Sequence, residues 1–176
     1  ASISITDGDS APTVTLDASA SNIAEDGSDN VTLTATSSVK TYANITVSLA
    51  TSGTATDDTD YAVDDTITIT AGSLTGTATF NPTGDSHYDA TSNESATIAI
   101  SGVSGGSALE SGAQTASITI TDNETAPTLS IATNDTSLGE GDSDATLTAT
   151  LTNATYGAVT VSIATTGTAD EGDDYA

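Results

Sequence analysis

The stretch Thr115–Thr128, T-A-S-I-T-I-T-D-N-E-T-A-P-T, decides how this chain is read. Its first half alternates Ala116, Ile118 and Ile120 with Thr and Ser, the period-two pattern of a half-buried strand. Three residues rich in carboxylate and amide oxygen follow, Asp122-Asn123-Glu124, and then a joint marked by Pro127. The same pattern opens the chain as Ala1–Thr13, A-S-I-S-I-T-D-G-D-S-A-P-T, at a constant offset of 115 residues. Beyond the joint the likeness continues at an offset of 114: Leu33 matches Leu147, Gly53 matches Gly167 and Tyr61 matches Tyr175. A period of this length is that of an array of domains. The chain of 176 residues then holds about one and a half repeats and is expected to be a segment of a longer protein.

Working outward, the complete repeat carries seven short alternating segments: Thr13–Leu16, Asn30–Thr36, Ile45–Ala50, Thr66–Thr70, Gly76–Phe80, Ala96–Ser101 and Ala113–Thr121. Thr, Ser, Val and Ile dominate them, and helix signals are nearly absent. Alternation puts Val31, Leu33 and Ala35, then Ile45, Val47 and Leu49, on inward faces. Ile67 and Ile69, Ala78 and Phe80, and Ile98 and Ile100 follow the same rule. Seven such strands between polar turns predict an all-β fold: tandem immunoglobulin-like antiparallel β-sandwiches, seven strands to each repeat. Residues 1–10 read as the last strand of a preceding repeat, 11–124 as a complete repeat and 125–176 as the first half of the next. Strands are expected in that half at Thr128–Ile131, Ala145–Thr150 and Ala158–Ala164, with continuing sequence or another copy completing the sandwich.

Charge narrows the partners. One basic residue, Lys40, stands against 25 Asp and Glu, for a net charge of −24. Such a surface repels nucleic acid and anionic lipid. No apolar run reaches the length of a membrane span. Cysteine is absent, so no disulfide supports the fold. Methionine is absent too, and an initiator residue and any leader are expected elsewhere. With one Phe and no Trp, the core must be a lean one of Val, Ile, Leu and Ala.

The acids fall at strand ends and turns: Glu25 and Asp26, then Asp57, Asp58 and Asp60, then Asp85 and Asp89, then Asp122 and Glu124. Where consecutive strands run antiparallel, every second turn lies at the same end. The turns with Glu25, Asp60 and Asp85–Asp89, and the exit at Asp122–Glu124, are therefore expected to meet at one pole. Carboxylates gathered there repel one another unless a cation intervenes, and hard oxygen donors suit Ca2+ with its six to eight ligands. Plain solvation of turn acids is the competing explanation.

Linked motifs carry a resemblance. Ile23-Ala24-Glu25-Asp26-Gly27, then Gly53-Thr54-Ala55 leading to Asp60-Tyr61, then Ile118–Glu124 together resemble the Calx-beta domain family of sodium–calcium exchangers and long microbial surface proteins. Glu140-Gly141-Asp142 and Gly167-Thr168-Ala169 to Asp174-Tyr175 repeat the first two. The resemblance implies a seven-stranded sandwich binding Ca2+ at one pole through Glu25, Asp60, Asp85, Asp89, Asp122 and Glu124. Glu140 and Asp174 would serve the following repeat, and Asp7 and Asp9 the preceding one. This chain departs from the family's pattern at Gly84-Asp85-Ser86-His87-Tyr88-Asp89, where an insertion precedes Glu94 and no run of consecutive acids appears. Its terminal triplet is Asp-Asn-Glu, so fewer ions or weaker binding are expected.

Six Asn-x-Ser/Thr sequons, at Asn30, Asn44, Asn93, Asn123, Asn134 and Asn153, are candidate N-glycosylation sites in so Thr-rich a chain. His87, the one histidine, reads as a solvated turn residue. Without Cys, Arg or a supported Ser-His-Asp ordering, no catalytic set emerges. The reading is a non-catalytic, calcium-binding repeat of an extracellular fibre, filament or adhesin stalk at the cell surface. Its partners would be neighbouring repeats or other copies. Two alternatives stand beside it: a module gripping carbohydrate or another cell near Tyr42 or Tyr88, and a Ca2+ sensor within a larger regulatory protein.

Overall fold

Alternating Thr and aliphatic residues cannot bury a helical stripe, so the chain resolves into strands whose odd and even positions face opposite ways. The computed structural model describes residues 1–4, 8, 10–89, 93–139, 141–169 and 172–173; Asp7, Asp9, Glu140 and Asp174 lie outside them. The strands are Thr13–Ala18 (β1), Asn22–Ala24 (β2), Val31–Ser37 (β3), Ile45–Gly53 (β4), Tyr61–Val63 (β5), Thr66–Ile69 (β6) and Thr75–Pro82 (β7). They continue as His87–Tyr88 (β8), Asn93–Ser104 (β9), Leu109–Glu110 (β10), Thr115–Thr121 (β11), Leu129–Thr133 (β12), Leu147–Leu151 (β13) and Ala154–Thr155 (β14). The described residues contain no helix, hence none long and apolar enough to cross a membrane.

Two units form, one of Ala1–Asp85 with Thr91–Asn123 and one of Ser86–Ala90 with Glu124–Ala176. The first is an all-β sandwich of two five-stranded sheets, ordered β10-β1-β3-β7-β5 and β2-β11-β9-β4-β6. All seven predicted strands of the complete repeat are present, as β1, β3, β4, β6, β7, β9 and β11. The inward residues are those that alternation selects. Val31, Leu33, Ala35, Ile45, Val47, Ile67 and Ile69 are fully buried. Tyr61 stacks on Phe80, the chain's one phenylalanine, with ring centroids 4.5 Å apart. A register shift between Ser48 and Leu49 in the β4–β9 pairing marks a bulge in an otherwise continuous ladder.

In the second unit β12 and β13 pair antiparallel, from Leu129↔Leu151 to Thr133↔Leu147. Leu129, Ile131 and Leu147 are 44%, 53% and 55% exposed. The strand expected at Ala158–Ala164 does not form. Its counterpart β4 is paired on both edges, by β6 and β9. Among the described residues the second unit has no counterpart of either, so its backbone groups have no ladder to join. Ala1–Ser4 are exposed and carry no strand.

The Gly53-Thr54-Ala55 motif acquires a structural reason. Thr54 and Ala55 both donate their N–H to Ser95 O, at 2.9 and 3.1 Å. That close approach needs Gly53 at φ +129°, and a Cβ there would overlap the Ser95 carbonyl. Gly53→Ala is expected to lower the unfolding free energy by about 2–3 kcal/mol, read as a lower urea midpoint at unchanged slope.

Candidate functional site

Strand direction decides which loops meet. β3 runs antiparallel to β1 and β7, and β9 to β4 and β11. The ends of β2, β4, β7 and β11 therefore share one end of the first unit with the starts of β3, β5 and β9. Glu25, Asp57, Asp58, Asp60, Asp85 and Asp122 lie in the connections at that end. Lys40, in the β3–β4 connection, lies at the other.

β2 makes the site. It pairs in parallel with the last strand, β11, in the register Ile120↔Ile23 and Thr121↔Ala24. Glu25 N–H then donates to Thr121 O at 3.0 Å, continuing the ladder by one residue. One carboxylate oxygen from each of Glu25, Asp122 and Glu124 lies within 4.8 Å of the others, all three side chains being half-buried. Gly84 closes against this turn; a Cβ there would overlap the Glu25 carbonyl oxygen. Two unit charges 4.8 Å apart repel by about 1 kcal/mol in bulk water and by about 3.5 kcal/mol at an effective dielectric near 20. The donor set is all oxygen and contains neither thiolate nor imidazole, which fits a hard divalent cation.

The remaining predicted ligands are placed as follows. Asp60 is half-buried at the same end, where its Oδ2 accepts Thr56 N–H at 2.6 Å and its carbonyl accepts Thr83 N–H at 2.9 Å. Asp85 is exposed in the next connection, and Asp89 is half-buried in the second unit. None of these three belongs to the 4.8 Å group. Asp26, beside Glu25, is exposed; the Ser28 N–H at 2.8 Å and hydroxyl at 2.7 Å hold its carboxyl below the ordinary 3.8.

His87 differs from its reading as a solvated turn residue. It is half-buried and its ring sits 5.0 Å from that of Tyr156. Among the sequons, Asn30, Asn44, Asn93, Asn123 and Asn134 are exposed. Asn44 and Asn134 each accept a backbone N–H, from Ala71 and Thr146. Asn153 is half-buried and its Nδ2, the atom a glycan would take, donates to Thr125 O at 2.7 Å.

Sequence reasoning missed what Tyr61 does beneath the acids. It is 1% exposed, and burial raises its phenol above the usual 10.0, with Asp57 and Asp60 adding to the effect. The Thr51 hydroxyl acts the other way, yet Tyr61 Oη makes no hydrogen bond of standard geometry among the described residues. A buried hydroxyl so placed costs about 1 kcal/mol or more. Tyr61→Phe keeps the ring stack and is expected to raise stability by about 1 kcal/mol near neutral pH. A folded-state value raised above that of the unfolded chain confers stability that is whole below pH 10.0 and lost as pH rises through it. The variant's advantage should therefore widen in urea melts taken between about pH 9 and about pH 11.

No protein-family model and no curated protein sequence matches the chain. Solved structures do. The apo form of the Calx CBD1 domain matches with a TM-score of 0.50 at 15% identity, over 64% of this chain and 99% of that one. CBD12 from CALX1.2 matches with a TM-score of 0.53 at 12% identity, over 79% of this chain and 68% of that one. At such identities the likeness is one of fold: the chain is built on the Calx-beta sandwich.

Proposed function

We propose that this chain is a non-catalytic, calcium-binding structural repeat of a long extracellular fibre, filament or adhesin stalk at the cell surface. One observation carries the reading: Glu25 and the pair Asp122 and Glu124, about a hundred residues apart in sequence, bring carboxylate oxygens within 4.8 Å of one another. Those three would hold the ion. Asp60 and Asp85 at the same end, and Asp89 of the second unit, are the further donors we assign to it. Asp7 and Asp9, and Glu140 and Asp174, would do the same for flanking repeats.

Calcium, when bound, supplies the positive charge that offsets repulsion among these acids. The chain does the rest. β2 carries Glu25 to the strand exit, and Gly84 backs the turn that presents it. Asp122 and Glu124 stand where the chain leaves β11 for Thr125–Pro127. Drawing them toward Glu25 restrains the first residues of that linker, and the fixed φ of Pro127 limits the remainder. The result would be a stiff joint in place of a loose one. A chain with one lysine and no arginine also offers little to trypsin-like proteases, which suits life outside a cell.

Thermal unfolding and small-angle scattering, in Ca2+ and in EDTA, test the proposal. Calcium at a hundredfold excess over its dissociation constant should add about 2.7 kcal/mol of stability and reduce the spread of chain dimensions. Glu25→Gln and Asp122→Asn should each remove most of that gain. Unchanged melting together with unchanged scattering would leave the acids as surface solvation and end the calcium reading.

A further inference from the structure

In the second unit Ala154–Thr155 (β14) pairs in parallel with His87–Tyr88 (β8), and the Tyr156 ring packs on His87 at 5.0 Å. The loop making that contact has a counterpart in the first unit. At the offset of 114, Lys40-Thr41-Tyr42 occupies the positions of Ala154-Thr155-Tyr156, and Thr46-Val47-Ser48 those of Thr160-Val161-Ser162.

Local structure repeats with the sequence. Thr41 Oγ1 donates to Ala43 O at 2.6 Å, and Thr155 Oγ1 to Gly157 O at 2.7 Å. Ser38 Oγ accepts Thr13 N–H at 3.0 Å, and Thr152 Oγ1 accepts Thr128 N–H at 2.9 Å. The surroundings are what differ. Tyr156 has a ring partner, whereas Tyr42 is fully exposed. With Pro12, Val39, Lys40 and Gly106 it lines a groove of about 440 Å3, at the end of the sandwich opposite the acids.

We infer that the Lys40–Tyr42 loop is a docking surface for the Asp85–Asp89 segment of a second copy of this chain. It pairs in parallel with that copy's His87–Tyr88 and stacks Tyr42 on its His87, as Ala154–Tyr156 does within one chain. Strand addition supplies the backbone hydrogen bonds and the ring contact supplies the register. Charge favours this occupant. Asp85 and Asp89 flank the docking residues, and Lys40, the chain's one basic side chain, stands where the internal counterpart has Ala154. His87–Tyr88 is already engaged by Ala154–Tyr156, so docking exchanges one partner loop for its equivalent. Repulsion between two chains of charge −24 opposes the exchange. Salt near 0.1 M, with a screening length of about 10 Å, weakens that repulsion more than the close contact. The inference rests on the proposed role as a repeat of a larger assembly, but not on calcium.

A synthetic peptide spanning Gly84–Asp89, titrated into the whole 15N-labelled chain at 0.1 M salt in Ca2+ and in EDTA, tests it. Amide shifts are expected at Pro12's neighbours, at Val39–Ala43 and at Gly106, in addition to any at Ala154–Tyr156. Tyr42→Ala should weaken the first set by about fivefold or more and leave the second unchanged. Tyr156→Ala, which frees His87–Tyr88, should raise the sedimentation mass with concentration, and adding Tyr42→Ala should reverse this. Shifts confined to Ala154–Tyr156, no shifts, or shifts indifferent to Tyr42→Ala would overturn the docking surface. Docking that persists while calcium changes neither melting nor scattering would instead count against the calcium reading alone.

Discussion

The acidic end depends on a strand of three residues. β2 leaves the sheet of β1 and joins the other sheet beside β11, and its grip there is backbone and core together. Thr119 N–H donates to Ser21 O at 3.0 Å, Glu25 N–H to Thr121 O at 3.0 Å, and the Thr121 hydroxyl to Ile23 O at 3.2 Å. Ile23 is 7% exposed and anchors the strand in the core. Those bonds deliver the Glu25 carboxylate to Asp122 whether or not like charges would choose to meet. Packing thus imposes an electrostatic cost at one place, and a local cost of that kind gives a cation something to relieve.

The core sets how large a relief would matter. Its members are Val, Ile, Leu and Ala, with Tyr61 on Phe80 as the one stacked aromatic pair among the described residues. Few large side chains mean modest apolar burial, at roughly 25 cal/mol per Å2. In such a domain one or two kcal/mol at a loop cluster is a large share of the net stability. The Tyr61 hydroxyl, buried without a hydrogen bond of standard geometry among the described residues, subtracts from the same small sum.

Strands long enough to show alternation were legible, because burial on one face selects every second residue. Val31, Leu33 and Ala35 need no further information. β2, β5, β8, β10 and β14 were not legible, since two or three residues cannot display a period. Ala158–Ala164 has the right alternation and still forms no strand, for pairing is a property of neighbours and not of the segment. At the candidate site, antiparallel reasoning placed Glu25 and Asp122 at one end. It could not foresee the parallel β2–β11 register that brings their oxygens close, nor that Asp60 would accept its own loop's Thr56 N–H. Gly84 carried no signal either, because its role is the space it leaves for the Glu25 carbonyl.

The parallel partnership of β2 and β11 has a mechanical side. The chain enters the sandwich at the start of β1 and leaves it past β11 at the opposite end, while β10 lies parallel to β1 and β2 parallel to β11. Tension on the two ends would drag β2 and β11 past each other along their length. Their hydrogen bonds then stand crosswise to the load and must break together instead of unzipping singly. Rupture under force is governed by the unfolding rate and not by equilibrium stability. In a sandwich wired in this way, resistance to pulling is set by that shared barrier more than by its small apolar interior.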